Sequence, residues 1–254
     1  MALYVALLVV GPMLAIFVRS FVTVLSPLIP ISEVLTLENF QAIFASPRFR
    51  RAVVNSVLLA TGGGMITVAF AGMVAIVCYR SDFVLRRSME HIAMIPRAVP
   101  GMIAGISFLY AILLVPGVGF VRSTLLIFVV AYMARFLPSA IGAIYPSMMQ
   151  IGPDLDRSAR TMGASWWTAC RRILLPLVTP ALISAYVLIF VQIMREYSMA
   201  LFLVAPGSEV ISIASLQAWQ IGDVGMVAAM SAVQTCILGV FILIANRFVS
   251  GRAI

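Results

Sequence analysis

An all-α polytopic membrane protein with six transmembrane helices is the fold class this sequence predicts, and three observations predict it. Hydrophobic residues make up 63% of the 254 and charged residues only 10%, against roughly 45–50% apolar residues in soluble domains. The apolar residues gather in runs of about 20 or more, the length a helix needs to cross a hydrocarbon core of about 30 Å. The arginines fall mainly in the short connections between those runs. Barrel strands would instead show about ten residues of alternating polarity, whereas helices satisfy their own backbone in lipid.

Six runs qualify, at roughly 3–28, 52–79, 91–115, 123–148, 178–204 and 225–247. The first starts at Met1 without a basic leader and outruns the apolar core of a signal peptide, so it is expected to stay in the membrane. Between it and the second lies "ISEVLTLENFQAIFASPRFRRAVVNS", amphipathic and expected to lie along the outer interface. Helix breakers recur inside the runs: Gly62, Gly63 and Gly64 in the second, Pro96, Pro100 and Gly101 in the third, Pro138 in the fourth. They read either as hinges lining a path or, more commonly, as small residues that let helices approach closely. No internal repeat or linker divides the chain, so one membrane domain over 1–254 is expected.

The connection at about 150–177 differs from all the others. In "IGPDLDRSARTMGAS" Pro153 suits a first helical position, Asp154 and Asp156 suit the first turn, and Gly163 suits a left-handed cap. Leu155, Ala159 and Met162 share one face at i, i+4 and i+7. Ser165 can cap a second helix through Trp166, Trp167 and Arg171, with Pro176 expected to stop it. The whole reads as a helix-turn-helix with an apolar ridge, a shape suited to docking on a partner.

Orientation follows from the arginines. With an even number of spans, Arg80, Arg86, Arg87, Arg157, Arg160, Arg171, Arg172, Arg247 and Arg252 share one side, and Arg48, Arg50, Arg51 and Arg122 share the other. The first group is cytoplasmic by the positive-inside rule, which puts both termini inside. The cluster Pro47 to Arg51 dissents. The formal charge of +8 is therefore read as topology, not as a surface for nucleic acid.

Several chemistries are excluded or disfavoured. The chain has no lysine, so it cannot build the phosphate-binding loop GxxxxGK[ST] of an ATPase. Its single histidine, His91, is read as an interfacial residue, and no catalytic or metal site is expected. Cys78, Cys170 and Cys236 stand far apart in apolar settings and are expected to pack. An ion channel would favour charged rings or a filter loop, and none is evident.

The cytoplasmic connection resembles the "EAA" loop of binding-protein-dependent ABC importer permeases, with Arg157-Ser158-Ala159 at the triplet and Gly163, Ile173, Leu175 and Pro176 at the intact glycine-to-I-x-L-P spacing. The triplet departs from the pattern, with Arg for Glu and Ser for Ala; Asp156 beside it offers a carboxylate. The resemblance extends to "IPRAVPGMIAG", "RFLPSAI" and the segment before the second run, nearly the whole chain. It implies an inner-membrane subunit whose loop, through Asp156 to Ala159, Gly163, Ile173, Leu175 and Pro176, docks on cytoplasmic ATPase subunits. It also implies a second permease unit, an extracytoplasmic binding protein, alternating access, and ATP bound only by the partner. "REYSMALFLVAPGSEVISIASLQAWQIGDVG" resembles ferric-iron permeases and their putrescine and aminoethylphosphonate relatives. Ferric iron is thus the leading substrate, with polyamine or phosphonate as alternatives and an ATP-independent channel or secondary transporter as the rival class.

Arg135, Arg195 and Glu196 are read as the ionisable residues inside the runs, facing protein or water along a path or gate. Arg195 and Glu196 are consecutive and point about 100° apart on a helix, so they cannot neutralise one another. Counted along straight helices, Glu196 lies roughly 27 Å from the inner start of its run and Arg135 roughly 18 Å from the outer face. That leaves about 15 Å between their depths, and Glu196 is accordingly expected near the outer mouth, away from Arg135.

Overall fold

The computed structural model describes residues 6–23, 29–30, 34–152 and 154–250. Among these the chain is helical, and its only strand-like feature is an isolated bridge between Val22 and Leu35. A π-turn, Ala6–Val10, leads into α1 (Gly11–Ser20), followed by α2 (Glu38–Ala45) and α3 (Pro47–Arg80). Next come α4 (Arg86–Ala98), α5 (Gly101–Leu114), a 3₁₀ turn at Gly119–Ser123, α6 (Leu126–Gln150) and α7 (Asp154–Thr161). The chain finishes with α8 (Trp166–Arg195), α9 (Ala200–Leu203), α10 (Ile211–Gln220) and α11 (Val224–Ser250).

Among the described residues four helices, α3, α6, α8 and α11 as far as Arg247, are long and apolar enough to cross a membrane. A fifth crossing is available if α4 and α5 form one span bent by 108°. In the first expected run the described helix covers Ala6–Val10 and Gly11–Ser20, and residues 1–5 and 24–28 lie outside the described residues.

Three boundaries differ from the sequence expectation. The third run is two helices, because Val99, held extended at φ −90° and ψ 122° before Pro100, interrupts it; a residue preceding proline is pushed out of the helical region. The second span begins at Pro47 instead of about 52: Ser46 caps it by accepting from Phe49 N at 3.4 Å, and Pro47 takes the first helical position. The segment Pro47 to Arg51 is therefore the start of α3.

The fifth run is the largest correction. Pro176 does not stop the loop's second helix, and α8 runs unbroken from Trp166 through Pro176 and Pro180 to Arg195. A proline normally clashes with the carbonyl four residues earlier. For Pro176 that carbonyl belongs to Arg172, inside a π-turn at Cys170–Leu174, where the widened backbone relieves the clash. The same helix ends early: Glu196 is extended (φ −74°, ψ 118°), and α9 is a separate short turn.

α3, α6 and α8 form the main core around Phe128, Tyr132, Ile144, Ile189 and Phe190, all at most 2% exposed. Gly64 and Gly72 put the backbone of α3 against Tyr186 and Leu182 of α8, so these two glycines serve close packing. At a π-turn at Leu59–Gly63 in α3, the Thr61 carbonyl accepts from Tyr186 Oη at 3.2 Å as well as from Gly64 N–H. A smaller core joins α2 and the start of α3 to α10 and α11 through Ile43, Phe49, Ala218 and Ala229.

Candidate functional site

Two regions carry the side chains the sequence singles out. The first is the loop from α7 into α8. Gly163 has φ +92°, its N–H donates to Arg160 O at 3.0 Å, and Ala164 N–H donates to Ala159 O at 3.0 Å. Together these two bonds form a Schellman cap, which satisfies the last carbonyls of α7 and needs a residue that tolerates positive φ. Ser165 caps the start of α8 by accepting from Thr168 N at 3.2 Å. The cap and the turn thus lie where the spacing predicts them.

The expected apolar ridge lies open: Leu155 is 52% exposed and Met162 89%, Ala159 is half-buried, and Trp167 across the turn is 65% exposed. Ile173 is half-buried and Leu175 and Pro176 are exposed, whereas Leu174 is buried in the core. Pro153 lies outside the described residues, as do the side chains of Asp156 and Arg157; Ser158 is exposed. The loop is tethered through Arg80 at the end of α3, whose guanidinium donates to Met148 O at 2.6 Å and to Ile151 O, while its own carbonyl accepts from Trp166 Nε1 at 3.2 Å. Arg160 adds an exposed pair with Asp82 at 3.7 Å.

The second region is the break between α4 and α5. Arg135 of α6 reaches across it, its Nε 3.2 Å from Glu196 Oε2 and its Nη1 3.5 Å from Val99 O. This overturns the expectation that Glu196 lies out of reach of Arg135. Depth counting treated the two spans as parallel straight rods and ran the helix on to 204. The chain instead leaves α8 at Glu196 and turns, so the carboxylate folds back over α6.

Glu196 is 9% exposed and fully used: Oε1 accepts from Met199 N at 3.0 Å, starting α9, and its carbonyl accepts from Ser212 Oγ at 2.8 Å. Gly101 makes the crossing feasible, since a Cβ there would sit 2.9 Å from both Arg135 Nη2 and Ser198 Cβ. A cavity of about 500 Å³ opens beside the pair, lined by the segment Pro96 to Pro100, which includes Arg97, and by Arg135, Phe136, Ser139 and Gln192. Arg195 points elsewhere, as the 100° rule requires, into a separate cavity of about 400 Å³ with Tyr197, Ser212, Trp219 and Gln234.

Sequence reasoning passes over several residues. Arg97 lies within the third expected run, flanked by prolines, and that placement was the available signal. Glu209 had none: it is 6% exposed, lies 3.8 Å from Arg48 Nε and 3.7 Å from Arg51 Nε, and anchors the segment between α9 and α10 against the first turns of α3. Asn55 holds the same segment by donating to Gly207 O at 3.0 Å and Glu209 O at 2.9 Å. Burial alone would raise the Glu209 carboxyl, but backbone N–H groups of Glu209 and Gly207, with Arg51 and Arg48, outweigh it and hold the group below the usual range. Among the described residues no three His, Cys, Asp or Glu side chains gather as a metal-binding group.

Residues 67–250 match the family model of the binding-protein-dependent transport system inner membrane component. The chain belongs to that family. It is similar to a putative ferric transport system permease of Haemophilus influenzae, FbpB 1, 32% identical over 184 residues that cover 71% of this chain and 29% of the relative. The molybdenum transport system permease ModB of Mycobacterium tuberculosis is 28% identical over 193 residues, covering 72% of this chain and 73% of the relative. The chain thus spans about a third of the ferric-transport permeases it matches, 29% and 31% of two of them. In fold it is similar to a chain of a bacterial ABC transporter involved in alginate import, at a TM-score of 0.77 and 18% identity, covering 100% of this chain and 93% of that one. For a multi-pass inner-membrane component, the loop and the broken span are the two places where chemistry departs from an apolar helix bundle.

Proposed function

We propose that this chain, as one permease domain over 1–254, is the membrane subunit of an ATP-driven importer. It crosses the membrane six times with both termini cytoplasmic, receives substrate from an extracytoplasmic binding protein, and works by alternating access beside a second permease unit. The chain itself is non-catalytic and binds no cofactor; ATP is bound and hydrolysed by partner subunits. Ferric iron is the proposed cargo, by likeness to the FbpB permeases.

The observation that carries this reading is the loop: a Schellman-capped helix whose apolar ridge, Leu155 and Met162 with Trp167, faces away from the core and leads directly into α8. An exposed ridge rimmed by polar residues marks a protein-binding surface. Because α8 is unbroken from Trp166 to Arg195, movement of a partner seated on α7 and the start of α8 is transmitted as rigid rotation to the break at Glu196. Asp156, Arg157, Ser158, Ala159, Gly163, Ile173, Leu175 and Pro176 belong to that coupling surface, and Arg135, Arg195 and Glu196 to the path.

The test is uptake in proteoliposomes holding this chain, its ATPase and its binding protein. Transport is expected to vanish when the ATPase's own ATP site is disabled. Uptake that continues unchanged without ATP would make the chain a channel or a secondary transporter.

A further inference from the structure

The cavity at the α4–α5 break holds more positive charge than the structure neutralises. Arg97 and Arg135 both line it. Glu196 pairs with Arg135, and among the described residues no carboxylate pairs with Arg97. Two guanidiniums against one carboxylate leave one uncompensated cation, the exposed Arg97, at the break of the bent α4–α5 pair. An arginine so placed is costly and faces water or a ligand by default.

The remaining walls suit the same kind of guest. Ser139 and Gln192 bring hydrogen-bonding groups without charge, and Pro100, the N-cap of the 14-residue helix α5, lies at the cavity edge. Discontinuous spans that meet at unwound backbone are a recurrent way of building a substrate site inside a membrane, with half-helix N-termini facing anionic groups. The volume, about 500 Å³, lies within the roughly 300–1,000 Å³ of small-molecule sites. A bare multivalent cation would meet two guanidiniums and one carboxylate, a balance that repels it.

We propose that this cavity is a transport site for anionic oxygen: Arg97 is the primary contact, Arg135 is held in place by Glu196, and Ser139 and Gln192 line the site. The chain therefore passes either a free oxyanion or a ferric ion enclosed by anionic oxygen ligands, and not a bare cation or a polyamine. This rests on the permease reading above.

The test uses the assembled complex of this chain with its ATPase and binding protein, in a Cys236→Ser background because Cys236 is exposed. Ala98→Cys, at an exposed position of the cavity wall, is added as a maleimide reporter. Molybdate, methylphosphonate, ferric citrate and putrescine are titrated as protectants against labelling. Protection by at least one of the three anionic probes, with none by putrescine, is expected. Protection by molybdate or methylphosphonate identifies a free oxyanion; protection by ferric citrate alone, with citrate inert, identifies the enclosed metal.

Arg97→Gln should weaken protection about tenfold or more, the worth of one charge-assisted hydrogen bond, and Arg97→Lys should recover most of it. Equal protection in wild type and Arg97→Gln, protection by putrescine, or no protection by any anionic probe overturns the proposal. A chain that fails to co-purify with its ATPase overturns the permease reading instead, which separates the two failures.

Discussion

The loop between α7 and α8 and the break between α4 and α5 are both interruptions marked by proline and glycine, yet they are held in opposite ways. The loop's geometry is local: Gly163, Ala164 and Ser165 close their bonds onto residues three to five positions away. The break is held from afar, by Arg135 on α6 and by Glu196 beyond α8, 61 residues apart in sequence. One is a preformed surface that leaves its apolar side chains outside; the other is a partly buried ion pair that bridges α6 and the end of α8 across the break. Punctuation in a membrane chain thus marks where geometry departs from a straight helix, but only the partners reveal whether the departure presents a surface or encloses a site.

The sharpest way to break this contrast is Glu196→Ala. It leaves Arg135 partly buried without its carboxylate and α9 without its cap at Met199, so a loss of about 3–5 kcal/mol is expected. Thermal unfolding of the purified chain in mild detergent measures it, with Glu196→Gln losing less because its carbonyl oxygen still accepts one of the two bonds, from Met199 N or Arg135 Nε. A Glu196→Ala protein as stable as the parent would mean that the break is set by the prolines alone.

Gly163→Val should cost less, about 1–2 kcal/mol of backbone strain, since a Cβ there meets nothing within 4 Å and only the positive φ resists it. Its effect should be on docking instead: normal membrane insertion, with lost co-purification of the ATPase or lost uptake. Arg171→Gln serves as the comparison and should do little if that exposed arginine mainly marks topology. Docking that survives Gly163→Val and fails with Arg171→Gln would make charge, not cap geometry, the determinant of the loop.

The smallest effect is expected at Glu209. Its carboxyl is held below the usual range, so the stabilisation it provides is complete above the free glutamate value of about 4.3. It is lost as pH falls through the lower folded value. With Arg48 and Arg51 each more than half exposed, the total is discounted by solvent to roughly 0–1 kcal/mol per pair. The thermal-stability gap between parent and Glu209→Gln should therefore hold between pH 7 and 5 and close below that, and a gap that widens on acidification would reverse the assigned sign.

Much of this protein follows from sequence alone, for physical reasons that can be named. Lipid forces an apolar run of about 20 residues into a helix, so the α3, α6, α8 and α11 spans are legible, as is the helical character of the third run. Short-range bonds obey spacing, so the Gly163 cap, the Ser165 cap and the ridge of Leu155 and Met162 are legible too. The pattern also shows that Arg195 and Glu196 diverge, because consecutive helical residues always do. What the tertiary structure decides is where straight-rod arithmetic fails. Pro176 lies inside a helix because a π-turn makes room for it, Glu196 meets Arg135 because its helix ends and the chain turns back, and Arg97 faces a cavity because Val99 and Pro100 bend the span. Each of these depends on a second segment packing against the first, and periodicity along one strand of sequence carries no record of which segment that is.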